Sequence, residues 1–235
     1  MLQILNTGLA LAEENMRMDE ELLNHLQPEG DPILHLYRWN GPSATYGYFI
    51  NPSHYFHPNQ NQVRLAQRPT GGGILFHTHD YAFSLLVPSK NSLFSINTID
   101  NYKFVNQVVL DSVKEIFALP DELYLTPSDF SSELKDAHRF CMAKPTQYDV
   151  IHQDLKIAGA AQRRKAQGFL HQGTISLAIP DPELIASTLL NTELFSLMQR
   201  YTFAPLGAFV KQDILDDARD ALEKKLIQNM RTQFS

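Results

Sequence analysis

Cysteine is nearly absent from this chain: Cys141 is the only one in 235 residues. A lone thiol cannot close an intramolecular disulfide, and a cysteine-rich zinc site is excluded with it. Cationic excess is missing too. Against 20 Lys+Arg stand 26 Asp+Glu, a net charge of −6, so the chain as a whole attracts neither nucleic acid nor an anionic membrane. Any anionic partner must meet a local basic patch, such as Arg163-Arg164-Lys165. No run of about 18 apolar residues occurs, so no membrane span is expected. The first residues, MLQILNTGLALAEENM, lack a basic start and reach Glu13 and Glu14 too early for a signal peptide. A G-x-G-x-x-G after a strand and a Walker lysine loop are both lacking, which removes the key signal of the Rossmann and P-loop readings. The expectation is a soluble, cytoplasmic protein.

What is present is an ordinary globular balance, 43% hydrophobic and 20% charged, in a chain long enough to bury one sizeable core. Leu11, Met18, Leu22 and Leu26 recur at helical intervals and predict an amphipathic helix over Ala10 to Leu26. Ile33 to Tyr37 and Ala44 to Phe49 are rich in strand formers; the turn-prone Asn40-Gly41-Pro42 between them suggests that they pair. Ile74 to His77 and the continuous apolar run Ala82 to Val87 predict further strands. A helix is expected over Asn101 to Phe117, ending before Leu119-Pro120. Tyr148 to Ile151 and Leu155 to Ala158 form a plausible hairpin, Ile175 to Ala178 another strand, and Pro182 to Leu190 and Asp213 to Met230 two more helices. Strands clustered among helices, without regular alternation, give an α+β fold.

Three constellations carry chemistry. Arg68-Pro69-Thr70-Gly71-Gly72-Gly73 stands directly before the strand that ends at His77. Consecutive glycines let backbone amides approach a ligand, and the arginine adds a fork of donors; a flexible hairpin loop is the alternative. In Lys156-Ile157-Ala158-Gly159-Ala160-Ala161, strict strand alternation sets Lys156 on the face of Ala158 and Ala160, over a floor of small side chains. An ammonium fixed there could stabilise charge on an acyl oxygen, whereas a strand lysine is otherwise a solvated edge residue. Cys141, in Phe140-Cys141-Met142-Ala143-Lys144-Pro145, reads as a buried small hydrophobe unless a cation such as Lys156 activates it. His77 with His79, and His54 with His57, are spaced pairs without the further ligands a metal needs, so no metal site is expected.

Four blocks recur in an order that resembles the biotin/lipoate protein ligase superfamily, in particular its lipoate-protein ligase A and octanoyl/lipoyl transferase branch. They are Asn15-Met16-x-Met18-Asp19-Glu20-x-Leu22-Leu23; Trp39-x-x-Pro42 with Gly47-Tyr48-Phe49; Arg68-x-Thr70-Gly71-Gly72-Gly73 with His77; and Lys156-Ile157-Ala158-Gly159-x-Ala161-Gln162-Arg163 followed by Gly173-Thr174. The resemblance implies a mixed, largely antiparallel sheet flanked by helices, as one catalytic domain over residues 1–235 without a separate C-terminal accessory domain. It implies lipoate or octanoate in an apolar tunnel beside the triple glycine, held by Arg68, Thr70, Gly71, Gly72, Gly73, His77, Gly159, Ala161, Gly173 and Thr174, with Lys156 on the acyl carbonyl. The acceptor would be a lysine of an apo lipoyl domain, in a 2-oxoacid dehydrogenase complex or the glycine cleavage H protein, and the donor could be an acyl carrier protein.

Two routes occur in this branch, and the sequence leaves them level: an acyl-adenylate made with ATP and Mg, or a thioester on Cys141. The alternatives are a binding or scaffold protein of the same fold that has lost catalysis, motivated by Gln67, Thr78 and Gln172 at positions where the branch usually has other residues, and a biotin-protein ligase.

Overall fold

The computed structural model describes residues 1–119, 123–129, 139–142 and 144–235; Pro120 and Ala143, within segments singled out above, lie outside them. Strand β1 (Gln3–Ala10) leads into helix α1 (Ala12–His25), whose first turn is closed by the Glu14 carboxylate accepting the Leu11 N–H at 2.9 Å. Then come β2 (Ile33–Trp39), β3 (Ser43–Tyr46), β4 (Arg64–Gln67), β5 (Ile74–His77) and β6 (Asp80–Pro88). Helix α2 (Thr98–Phe117) is capped by Asn97, which accepts the Ile99 N–H, and stops where Ala118 turns left-handed at φ +46°. Strands β7 (Leu123–Leu125), β8 (Val150–His152), β9 (Leu155–Lys165) and β10 (Gly168–Ser176) precede α3 (Pro182–Thr188), α4 (Glu193–Tyr201) and α5 (Gln212–Gln233).

The strands form a seven-stranded sheet in the order β1-β2-β6-β10-β9-β8-β7 and a three-stranded sheet β4-β3-β5. Among the described strands only β1 with β2 and β3 with β4 run parallel, so the fold is the mixed, largely antiparallel α+β arrangement expected. One expected pairing fails. β2 and β3 lie in different sheets, because the Asn40 N–H donates to Ala10 O and so prolongs β2's pairing with β1. β1, β4, β7 and α4 were not anticipated, and β10 begins at Gly168 where a strand was expected only from Ile175. In β1 the register shifts between Asn6 and Gly8, which breaks the alternation that would reveal a strand.

One face of the large sheet is covered by α2 and α5. Leu34 and Leu36 of β2, Phe83 and Leu85 of β6 and Ile157 of β9 meet Val105, Val109 and Val113 of α2 and Leu222 and Leu226 of α5 in a continuous core. The opposite face receives α1 and the small sheet. The 9 residues of β6 are all buried, as its apolar run foretold. No described helix is long and apolar enough to cross a membrane.

Candidate active site

The expected alternation along β9 is inverted at its start. Val150 pairs with Ala158 while Ile151 pairs with Lys156, so the ladder carries an extra residue at Ile157. Ile157 and Ala158 both turn into the α2/α5 core. Lys156 therefore shares its face with Gly159 and not, as alternation implied, with Ala158 and Ala160. A Cβ on Gly159 would lie 2.6 Å from the Lys156 ammonium, so only glycine leaves room for the amine.

That ammonium is buried, with 4% of Lys156 exposed. It forms an ion pair with Asp149 at 2.7 Å and donates to the Cys141 carbonyl at 2.8 Å. Asp149, wholly buried, also accepts from Thr146 N at 2.6 Å, Thr146 Oγ1 at 2.9 Å and Tyr102 Oη at 2.6 Å. Tyr102 in turn accepts the Ala160 N–H at 2.8 Å; burial, then the Asp149 charge, push its phenol well above the ordinary range. Two of the three ammonium donors are thus committed, leaving one for a ligand.

Cys141 faces the triple glycine. Its Sγ accepts the Gly73 N–H at 3.2 Å and lies 3.7 Å from an Arg68 nitrogen. The cation at the sulfur is therefore Arg68; Lys156, expected in that place, holds the Cys141 backbone. Both contacts stabilise negative charge on sulfur. Gly72 adopts φ +83°, a backbone that glycine adopts without strain, and a Cβ there would lie 3.2 Å from an Arg68 nitrogen, 3.4 Å from Ala161 and 3.5 Å from Cys141 Sγ. Arg68 also donates to Gly73 O at 2.6 Å, Gly71 O at 3.2 Å and Thr45 Oγ1 at 2.6 Å. This guanidinium shapes the loop from within.

Thr45 links Arg68 to His77, whose Nε2 lies 2.8 Å from Thr45 Oγ1. Its Nδ1 meets Asp80 Oδ2 at 2.6 Å, and Thr174 donates to the same oxygen at 2.8 Å. Burial alone would raise the Asp80 carboxyl, but His77 and Arg219 outweigh it and hold the group below the usual carboxylate range. His77 stacks on Trp39 at 4.0 Å. Because His77 ends β5 while His79 lies in the following turn, the two imidazoles do not share a strand face.

Thr70 acts at one remove. It donates to Gln172 Oε1 at 2.6 Å, and Gln172 donates to Asp19 of α1 at 2.6 Å. Asp19 also accepts from Ser84 at 2.6 Å and meets His35 at 2.7 Å, so the glycine loop is moored to the opening helix. Gln172 occupies the site face of β10, while His171, beside it, stacks against Phe83 on the α2 side.

These groups surround a cavity. Arg68, His77, Cys141, Lys156, Gly159, Ala161, Gly173 and Thr174 line it, and Met16, Tyr37, Trp39, Leu75 and Ala82 give it apolar walls. Thr70, Gly71, Gly72 and Gly73, expected to hold the ligand, are not among its lining residues. The sequence missed Asp149, Tyr102 and Thr45. Asp149 had one signal, since a two-residue turn between β8 and β9 folds it back beside Lys156. Tyr102 had none, being one aromatic among many on a helix.

The family described as "Lipoyl protein ligase A/B catalytic domain" matches residues 12–193. The octanoyltransferase LipM of Staphylococcus aureus is 27% identical over 222 residues, covering 91% of this chain and 79% of that protein. That of Bacillus subtilis is 23% identical, covering 94% and 84%. The fold is similar to the bi-partite lipoate protein ligase of Thermoplasma acidophilum, with a TM-score of 0.69 at 21% identity over 98% of this chain and 84% of that one. It is likewise similar to a lipoate-protein ligase A bound with ATP, with a TM-score of 0.66 at 22% identity over 98% and 85%. The match to the family covers most of the site described above, bears out the resemblance seen in the sequence blocks, and makes this chain an enzyme of the lipoyl protein ligase A/B catalytic domain family.

Proposed function

We propose that this enzyme transfers an octanoyl or lipoyl group to the acceptor lysine of a lipoyl domain through a thioester on Cys141. The observation that carries the reading is the triple-glycine loop closing on sulfur: the Gly73 N–H and Arg68 both meet Cys141 Sγ. Of the donors that a nucleotide phosphate would need, Arg68 is engaged by three carbonyl or hydroxyl oxygens of the protein and Lys156 spends two of its three N–H groups on Asp149 and Cys141 O. The names of the relatives, octanoyltransferases, point the same way.

In the first half, the Cys141 thiol loses its proton to solvent and the thiolate attacks the carbonyl of a donor thioester, such as an acyl carrier protein supplies. The new C–S bond forms, the donor's C–S bond breaks, and the donor departs as a thiolate that takes a proton from solvent. The remaining Lys156 N–H stabilises the charge that develops on the acyl oxygen, while the acyl chain lies along Met16, Trp39 and Leu75. In the second half, a neutral acceptor amine attacks the same carbonyl, an amide forms, and the amine proton passes to the departing Cys141 thiolate. The lipoyl domains of 2-oxoacid dehydrogenase complexes and the glycine cleavage H protein are the acceptors proposed.

Intact-mass spectrometry tests this. An octanoyl thioester should place one acyl group on Cys141, removable by hydroxylamine, before an apo lipoyl domain gains mass; Cys141→Ser should abolish both. An acceptor gain that requires octanoate or lipoate with Mg-ATP and survives Cys141→Ser would establish the adenylate route instead. No gain under either condition would leave a binding protein.

A further inference from the structure

A second cavity adjoins the first and shares Leu75, Met142 and Thr174 with it. Its walls are mostly apolar, including Phe76, Phe195 and Met198, and among the described residues neither lysine nor arginine lines it and Asp80, 6% exposed, is the one anion. Asp80 Oδ2 is occupied by His77 and Thr174, but Oδ1, also buried, has no hydrogen-bond partner among the described residues. Arg219 does not supply one. Its Nε donates to the Asp80 backbone carbonyl at 2.9 Å, and its other nitrogens reach Thr78 O and Asp216.

A buried carboxylate oxygen without a donor is costly unless something fills its place. A second acyl chain would leave it unpaired. An apolar cavity with a buried, partly unpaired carboxylate in its wall is instead complementary to an alkyl stem with a cationic head. We infer that this cavity receives the acceptor lysine, its methylenes against Leu75, Phe76, Met142, Phe195 and Met198 and its ammonium at Asp80 Oδ1, beside the thioester. The inference rests on the thioester reading above and adds where the second substrate enters. Asp80 is a binding group and not the base: an alkylammonium, with a pKa of about 10.4, does not yield its proton to so weak a base. The amine is captured charged at Asp80 and reacts after losing its proton to solvent. Thr174, which bonds Asp80 and lines both cavities, marks the junction where the amine crosses to the acyl carbon.

The test uses the full chain acylated on Cys141 with a small octanoyl thioester, in wild type, Asp80→Asn and Met198→Trp. Discharge by n-butylamine, a cation at neutral pH, is compared with discharge by hydroxylamine, a small neutral nucleophile. The ratio of the two rates should fall at least about tenfold in Asp80→Asn, the loss expected for one charge-assisted hydrogen bond, and should fall also in Met198→Trp, which fills the cavity and leaves Asp80 intact. In wild type, n-butylammonium should slow transfer to the lipoyl domain competitively, and n-butanol should not. An unchanged ratio in both variants, or equal inhibition by n-butanol, would overturn the inference. So would loss of Cys141 acylation in Met198→Trp, which would assign the cavity to the donor's arm. Failure of wild type to acylate Cys141 at all is a different result: it removes the thioester reading itself.

Discussion

Gly159 and the Lys156 ammonium occupy adjoining space so closely that a Cβ on the glycine would lie 2.6 Å from Nζ and 2.5 Å from Asp149 Oδ1. Gly159→Ala must therefore displace the amine, its carboxylate partner, or both. Transfer to an acceptor should fall about a hundredfold, the scale of a misplacement near 1 Å, with a stability loss of about 1–3 kcal/mol from overpacking. Initial rates and urea unfolding of the same preparation measure both. An unchanged rate would show that the position of the ammonium is not critical.

The Asp149 carboxylate holds a buried charge. Asp149→Ala leaves Lys156 without its counterion and should destabilise the protein by about 3–5 kcal/mol. Asp149→Leu combined with Lys156→Met, which removes both charges, should recover part of that loss while remaining inactive. If the double variant is no more stable than Asp149→Ala, the ion pair is not the source of the cost.

His171 introduces an acid-side weakness. Burial holds its pKa down to about 3, whereas in the unfolded chain it titrates near 6.5. Below that unfolded value the unfolded state binds the extra proton, so stability is lost progressively as pH falls from about 6.5 towards 3, by at most about 5 kcal/mol. Thermal unfolding from pH 7 to 4 should show a steeper decline in wild type than in His171→Leu. Parallel curves would locate the acid sensitivity elsewhere.

Thr45 bridges Arg68 and His77 through one hydroxyl. Thr45→Val keeps the shape but leaves a guanidinium donor and an imidazole nitrogen unpaired, a loss of about 1–3 kcal/mol. Because Arg68 shapes the loop at Cys141, the rate of Cys141 acylation should drop by about tenfold. Stopped-flow mixing with an octanoyl thioester, read by mass, separates this from effects on the second half-reaction.

The helices α1, α2 and α5 were legible because each carries an apolar stripe at helical spacing. β6 was legible as an unbroken apolar run, and it is buried throughout. The pairing of β2 with β3 was misread since turn chemistry at Asn40-Gly41-Pro42 says that the chain bends, not which strand it joins. β2 finds better partners in β1 and β6. The residues that hold the site together, Asp149, Tyr102 and Thr45, were invisible as a set, because a polar side chain's partner is decided by burial and by which elements approach it.

By itself the sequence determined which chemistry was on hand: one thiol, one triple-glycine loop behind Arg68, and a lysine before a run of small residues. Their order also carried the family. Only the tertiary structure decided how they meet. A single extra residue at Ile157 turns Lys156 onto the face of Gly159, the β8–β9 hairpin folds Asp149 back to Lys156, and long-range packing brings Gly73 to Cys141. Local propensity encodes the elements, but the direction of a side chain after a bulge, and the pairing of groups 68 or more residues apart such as Gly73 and Cys141, depend on which buried donors and acceptors must find each other once water is excluded.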